Sequence, residues 1–258
     1  MPSTWQHDHV PEPDTPNHDA PEPDTPKHDA PEPDALKHEA PEPNPLPGQG
    51  ATPPKRLVAV LVTNAAGAAT PPGLDRDSFL RAVAEDTYEV VAGLELVSPF
   101  LITTVPDLDD LVWPGTPVIT IPERNGAATV RDAFEAMATA RPDATQAVVV
   151  CADAPDLPPL LIGKLFRELG RAQITVCQAA GGGAVAVAAH LPLPAWASVD
   201  LDAPDVVADL RAAAPGRRMV ATGPGWHRLR APGDLAALDP GLEGWEATRA
   251  LLSGRALR

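Results

Sequence analysis

The chain reads as an α/β protein with a mixed, mainly parallel sheet covered by helices on both faces. Three observations predict this class. Short, wholly apolar runs such as Leu57–Val62 and Ala147–Cys151 have strand length and suit strands buried on both sides. Amphipathic helical patterns alternate with them, the arrangement expected of an open sheet flanked by helices. Two further strand-like runs are joined only by Gly181-Gly182-Gly183, too short for a parallel crossover, so one antiparallel pairing is expected.

The elements follow in order after a repetitive N-terminal segment. Pro-Glu-Pro recurs at 11–13, 21–23, 31–33 and 41–43, a period of ten. Isoleucine, phenylalanine and tyrosine are absent from the first fifty residues, so ordering them would not be offset by burial. Residues 1–54, including the Pro/Gly-rich linker Pro45–Pro54, are expected to form a disordered tail with polyproline II bias, and 55–258 a single folded domain. A strand is predicted at Leu57–Thr63, then a loop with Gly67, Pro71, Pro72 and Gly73. Asp75 is placed to cap a helix whose apolar stripe is Phe79, Val83, Val90 and Leu94. Strands are predicted at Phe100–Val105 and Pro117–Ile121, and a helix at Ala127–Ala140 with Val130, Phe134 and Met137 inward. Gln146–Cys151 is the next strand, and Pro159–Leu169 the next helix, with proline in its first turn. Gln173–Cys177 and Ala184–Ala189 read as strands, and Asp205–Ala214, Pro232–Leu238 and Leu242–Leu252 as helices.

Composition narrows the function classes. The formal net charge is −15, and eleven Asp/Glu against two Lys in residues 1–50 account for −9 of it, leaving −6 for the rest. No basic footprint for sequence-independent nucleic-acid binding is present. No apolar run approaches membrane-spanning length, and no basic region followed by an apolar stretch marks a secretory signal. Cys151 and Cys177, the two cysteines, lie in apolar runs and read as core thiols of a reducing compartment, although facing strands could bridge them. A cytoplasmic location is expected. Five of the seven histidines fall in the tail, but positions ten apart in an extended polyproline II chain lie roughly 31 Å from one another and do not converge on one ion. A spacer or an acidic arm that contacts a protein partner is the reading of that segment.

The stretch that carries chemistry is Val148-Val149-Val150-Cys151-Ala152-Asp153-Ala154-Pro155-Asp156. An apolar strand stops at Asp153, and Asp156 follows across a proline. Ligands of open α/β sheets bind at the carboxyl ends of strands, and two carboxylates there can hold a divalent cation against nucleotide phosphates. The plainer alternative is a cap and a turn with no ligand.

The run VVVCADAPDLPPLLIGKLF (148–166) resembles the central motif of bacterial nucleotidyltransferase and glycosyltransferase A-like proteins. Within that group it is most similar to the family related to the phospholactate and molybdenum-cofactor guanylyltransferases. The segments VLVTNAAGAATPPGLDRDSFLRAVAEDT (60–87) and WHRLRAPGDLAAL (226–238) sit where such proteins have a phosphate loop with a following Asp-Thr helix, and a closing strand. The resemblance spans about residues 56–240 and implies a Rossmann-like three-layer sandwich, of glycosyltransferase A or nucleotide-diphospho-sugar transferase type. It further implies binding of a nucleoside triphosphate or nucleotide sugar with Mg²⁺, and transfer of a nucleotidyl or glycosyl group. On this likeness Asp153 is the metal-contacting carboxylate, Asp156 a second ligand or the holder of the turn, and Gly67 the remnant of the phosphate loop.

The departures are equally specific. Thr63 to Gly73 contains no basic residue, whereas the relatives neutralise the triphosphate there. Arg124, Arg131 and Lys164 are the nearest cations by sequence, Arg124 lying in a Glu-Arg-Asn-Gly loop. Where many relatives have Asp-x-Asp on the closing strand, this chain has Trp226-His227-Arg228, and Arg228 can bind a phosphate directly. Related proteins often carry an acidic residue beside the glycine run, where Ala179 and Ala180 stand here. Trp196, Trp226 and Trp245 suit either a cleft rim or core packing. Loss of the loop cations leaves a second reading open, a non-catalytic nucleotide-binding or interaction module.

Overall fold

The computed structural model describes residues 55–254. The tail expected over 1–54 lies outside them.

Seven strands form one sheet: β1 (Arg56–Val62), β2 (Ser98–Thr103), β3 (Val118–Thr120), β4 (Gln146–Cys151), β5 (Ile174–Gln178), β6 (Ala184–His190) and β7 (Val220–Thr222). Their spatial order is β3-β2-β1-β4-β6-β5-β7. β1 pairs in parallel with β2 and β4, β2 with β3, and β5 with β7, while β6 runs antiparallel to both β4 and β5. One reversed strand in an otherwise parallel sheet is the mixed topology that the short glycine link requires.

Five helices cover the sheet: α1 (Arg76–Ala92), α2 (Gly126–Ala140), α3 (Pro159–Glu168), α4 (Val206–Ala213) and α5 (Glu246–Leu252). In β1, Val58, Val60 and Val62 face the core that also holds Phe79 of α1, Leu165 of α3 and Trp245. Leu57, Ala59 and Leu61 face the opposite core, with Val130, Phe134 and Met137 of α2 and Leu210 of α4. Strand side chains alternate between faces, so an unbroken apolar run fills both cores at once. Three layers result, as the Rossmann-like expectation requires.

The helix starts follow from local chemistry. The Asp75 carboxylate accepts the Ser78 N–H at 2.8 Å and caps α1. Asp205 does the same for α4 through Ala208. Pro159 opens α3, where its missing N–H costs nothing.

Four elements depart from expectation, the first being the last helix, which begins at Glu246 instead of Leu242. Strand β7 has three residues, too few for a periodic signal, and was not anticipated. Pro232–Ala237 is a 3-10 helix. The closing strand is reduced to a single bridge between Ala179 and Trp226, because Gly223-Pro224-Gly225 interrupts the chain before it and Pro224 has no N–H to donate.

Candidate functional site

Chain connections leave β1 towards β2 on one side and reach β4 on the other, so the carboxyl ends of β1 and β4 flank a topological switch point, where crevices form in open α/β sheets. A cavity of about 210 Å³ opens there. Its walls come from Thr63 and Asn64 after β1, Arg124 and Gly126 at the start of α2, and Asp153 after β4, with Arg228 crossing behind. Ligand pockets commonly occupy roughly 300–1,000 Å³, so this one is smaller than a pocket that encloses a whole small-molecule ligand.

Asp153 sits in that wall, but its carboxylate is committed. Arg228 donates Nε–H to Oδ1 at 2.7 Å and Nη2–H to Oδ2 at 2.9 Å, a two-pronged pair. The two side chains are 2% and 6% exposed, so little water screens them. Burial pushes the Asp153 carboxyl above its ordinary value, against the pull of Arg228. Arg228 Nη1 also donates to the carbonyls of Ala184 and Leu201, each at 3.1 Å, and to Asp202 Oδ1 at 2.8 Å. The backbone sets this up: Leu229 N–H donates to the Asp153 carbonyl at 2.8 Å, laying the closing segment along the β4 turn.

Asp156 does not join Asp153. It lines a separate groove with Pro158, Trp113 and Glu243. Its Oδ1 accepts the Trp226 indole N–H at 3.1 Å and lies 2.9 Å from His227 Nε2, while Oδ2 is buried without a partner. The Trp226 and His227 rings stack at 4.9 Å. None of the three tryptophans singled out by sequence lines the crevice. Trp226 serves Asp156, Trp245 is buried under Arg249, and Trp196 packs on the α2–α4 core.

The first loop forms a 3-10 turn over Asn64–Gly67. Gly67 is buried and lies off the cavity: a Cβ there would stand 2.9 Å from Arg76 Nε. Arg76 folds back and donates to the Asn64 carbonyl at 2.6 Å, so a cation does cover the loop, supplied by α1. The Asp-Thr pair of that helix supports the site from beneath. Thr87 Oγ1 lies 2.9 Å from the Ala152 carbonyl, and Asp86 accepts the Ala247 and Thr248 N–H groups at 2.9 and 2.7 Å, holding the start of α5. Burial, opposed by those bonds, raises the Asp86 pKa to about 6.

Arg124 lines the crevice and pairs with Asp132 at 3.0 Å. Arg131 instead donates to the Ala197 carbonyl, and Lys164 lies on α3 away from the cavity. Asp200 and Asp202 also line it, and sequence reasoning missed both. The signal was present as Asp200-Leu201-Asp202, an Asp-x-Asp spacing just past β6 instead of on the closing segment. The glycine run admits this loop. Gly181, Gly182 and Gly183 all have positive φ, and a Cβ on Gly183 would fall 2.2 Å from Arg230 Nη2 and 2.6 Å from the Leu201 carbonyl.

Magnesium held jointly by Asp153 and Asp156 does not fit these donors. The two carboxylates face different cavities, both oxygens of Asp153 accept from Arg228, and no group of three His, Cys, Asp or Glu side chains among the described residues is arranged to hold an ion. Cys151 touches the crevice, but burial lifts its thiol to about 12, which leaves no thiolate for nucleophilic work.

No family model and no curated protein matches the chain in sequence. Solved structures do match in shape. A protein of Desulfovibrio desulfuricans G20 assigned to the nucleotide-diphospho-sugar transferases superposes with a TM-score of 0.56 at 14% identity, over 80% of this chain and 100% of its own. The 4-diphosphocytidyl-2C-methyl-D-erythritol synthase of Anaerococcus prevotii matches at 0.49 and 12% identity, over 77% and 99% of the two chains. A manganese complex of Rv0371c from Mycobacterium tuberculosis H37Rv matches at 0.46 and 20%, over 78% and 100%. The match to the Desulfovibrio protein shows the fold alone: a Rossmann-like α/β architecture with a mixed, mainly parallel sheet.

Proposed function

We propose that the protein binds a nucleoside triphosphate or nucleotide sugar in the crevice between the ends of β1 and β4 and transfers a nucleotidyl or glycosyl group from it. The observation that supports this most directly is the crevice itself, placed at the switch point of the sheet and walled by Asp153, Arg124 and Arg228. In-line attack on a phosphate or anomeric carbon needs an oriented acceptor and stabilised negative charge more than a covalent participant. Arg124 at the mouth and Arg228 at the back are the cations positioned for that work. The acidic repeat serves as an arm for a protein partner in this reading.

A specific observation favours a second reading, a nucleotide-binding module without turnover. The carboxylate most suited to chemistry is already paired on both oxygens with Arg228, and Thr63 to Gly73 supplies no cation of its own.

A thermal-shift panel of nucleoside triphosphates and nucleotide sugars on the full chain tests both. At least one ligand is expected to raise the melting temperature, and Ala65→Trp, which places an indole at the exposed cavity mouth, is expected to abolish the shift. Absence of any shift across the panel would overturn the binding claim. Binding with no product formed from any acceptor phosphate or hydroxyl would favour the module without turnover.

A further inference from the structure

Asp153 after β4, and Asp200 and Asp202 after β6, all line the crevice, although no three such side chains among the described residues are arranged around one ion. Asp153 and Asp202 meet instead on a cation that the protein itself supplies. The Arg228 guanidinium bridges Asp153 through Nε and Nη2 and Asp202 through Nη1, and it also satisfies the carbonyls of Ala184 and Leu201. Arg230 adds a second guanidinium to the outer side of Asp202, at 3.1 Å. A buried carboxylate that accepts two charge-assisted bonds in fork geometry has one lone pair of each oxygen occupied and its charge already matched, which weakens its pull on a metal.

We propose that Arg228 is the resident cation of this site, standing where a divalent ion would otherwise be held, and that the crevice binds its ligand without metal. Nη2 makes one bond, to Asp153, so one of its two N–H groups has no acceptor among the described residues. That N–H is the donor offered to a ligand oxygen at the back of the cavity. The ligand class this serves is an oxyanion ester, a phosphate oxygen presented singly instead of through a chelated ion. Asp153 is then a positioning residue, which fixes the plane of the guanidinium.

The inference rests on the crevice being the ligand site proposed above, but its main test needs no nucleotide. Mn²⁺ alone is titrated into the full chain, wild type and variants, and followed by calorimetry and by loss of the free-ion electron paramagnetic resonance signal. Wild type is expected to show no saturable site that depends on Asp153, so its isotherm matches that of Asp153→Asn. Arg228→Gln releases Asp153 and Asp202, and a saturable Mn²⁺ site is expected to appear there and vanish again in Arg228→Gln/Asp153→Asn. A wild-type Mn²⁺ site lost in Asp153→Asn would overturn the proposal, as would a folded Arg228→Gln that gains none. Circular dichroism establishes whether Arg228→Gln is folded. If it is not, the wild-type and Asp153→Asn isotherms decide the matter alone. If the nucleotide panel yields a ligand, chelator is expected to leave its wild-type shift unchanged, and a shift abolished by chelator sinks the proposal. An empty panel counts against the functional reading and leaves the Mn²⁺ result standing.

Discussion

Arg228 directs its guanidinium to four acceptor residues, none of them within 25 positions of it in the chain. Removing it leaves Asp153 buried without the guanidinium that pairs with it directly, and Arg230 acts on it only from farther off. Arg228→Met is therefore expected to cost about 3–5 kcal/mol in urea unfolding, the range seen when one member of a buried ion pair is deleted. Arg228→Met/Asp153→Leu should lose less than the single variant, since no unpaired charge remains. Equal or greater loss in the double variant would show that packing, not charge, holds this corner. Asp86 makes a different prediction. Its folded pKa of about 6 lies above the ordinary 3.8, so the folded state holds the proton more tightly than the unfolded chain does. Its contribution is complete below the unfolded value and is lost as pH rises through 6. Over that window the loss is on the order of 3 kcal/mol, at 1.36 kcal/mol per pK unit. Asp86→Asn should flatten stability against pH between 4 and 6, measured by chemical denaturation; an unchanged slope would assign that dependence elsewhere.

At the scale of elements, the β5–β6 link was legible from its length alone. Three consecutive glycines are too short for a parallel crossover, so an antiparallel pairing follows. The structure makes them a hairpin whose third member is overhung by Arg230 and Leu201. Gly181→Ala meets nothing within 4 Å and should cost only the left-handed backbone penalty, about 1–2 kcal/mol. Gly183→Ala should cost clearly more, because the methyl also collides with Arg230 and the Leu201 carbonyl, and thermal unfolding of the two variants compares them directly. Gly67 was legible as special, and the structure gives it a role that spacing did not show: the missing Cβ makes room for Arg76. The absence of cations between Thr63 and Gly73 was read correctly from composition, yet Arg76 reaches the loop from α1, which spacing along the chain does not reveal. The helices were more legible, because Asp75, Asp205 and Pro159 act on groups within three residues of themselves.

For the whole molecule, the sheet keeps its two thiols apart. Cys151 on β4 faces one core and Cys177 on β5 the other, with β6 between the strands, so the bridge that facing strands would allow is excluded. Burial lifts both thiols to about 12. A thiol reagent should label neither cysteine at an appreciable rate in the native protein and both after unfolding; rapid native labelling of Cys151 would show the crevice to be more open than its walls suggest. The sheet ends on β3 and β7, three residues each, which leaves little edge for another chain to pair with. No helix among the described residues is long and apolar enough to cross a membrane. What the amino-acid order determined by itself is the layered α/β architecture, since two-sided burial imprints continuous apolar runs and helix stripes that can be read locally. It also marked Asp153 as a carboxylate just past the carboxyl end of a buried strand. Only the tertiary structure decided what that carboxylate meets. Arg228 lies 75 positions away, and Asp86 finds its partner 161 positions on. Pairings between distant charges depend on which loops the folded sheet brings together, and no local spacing records that.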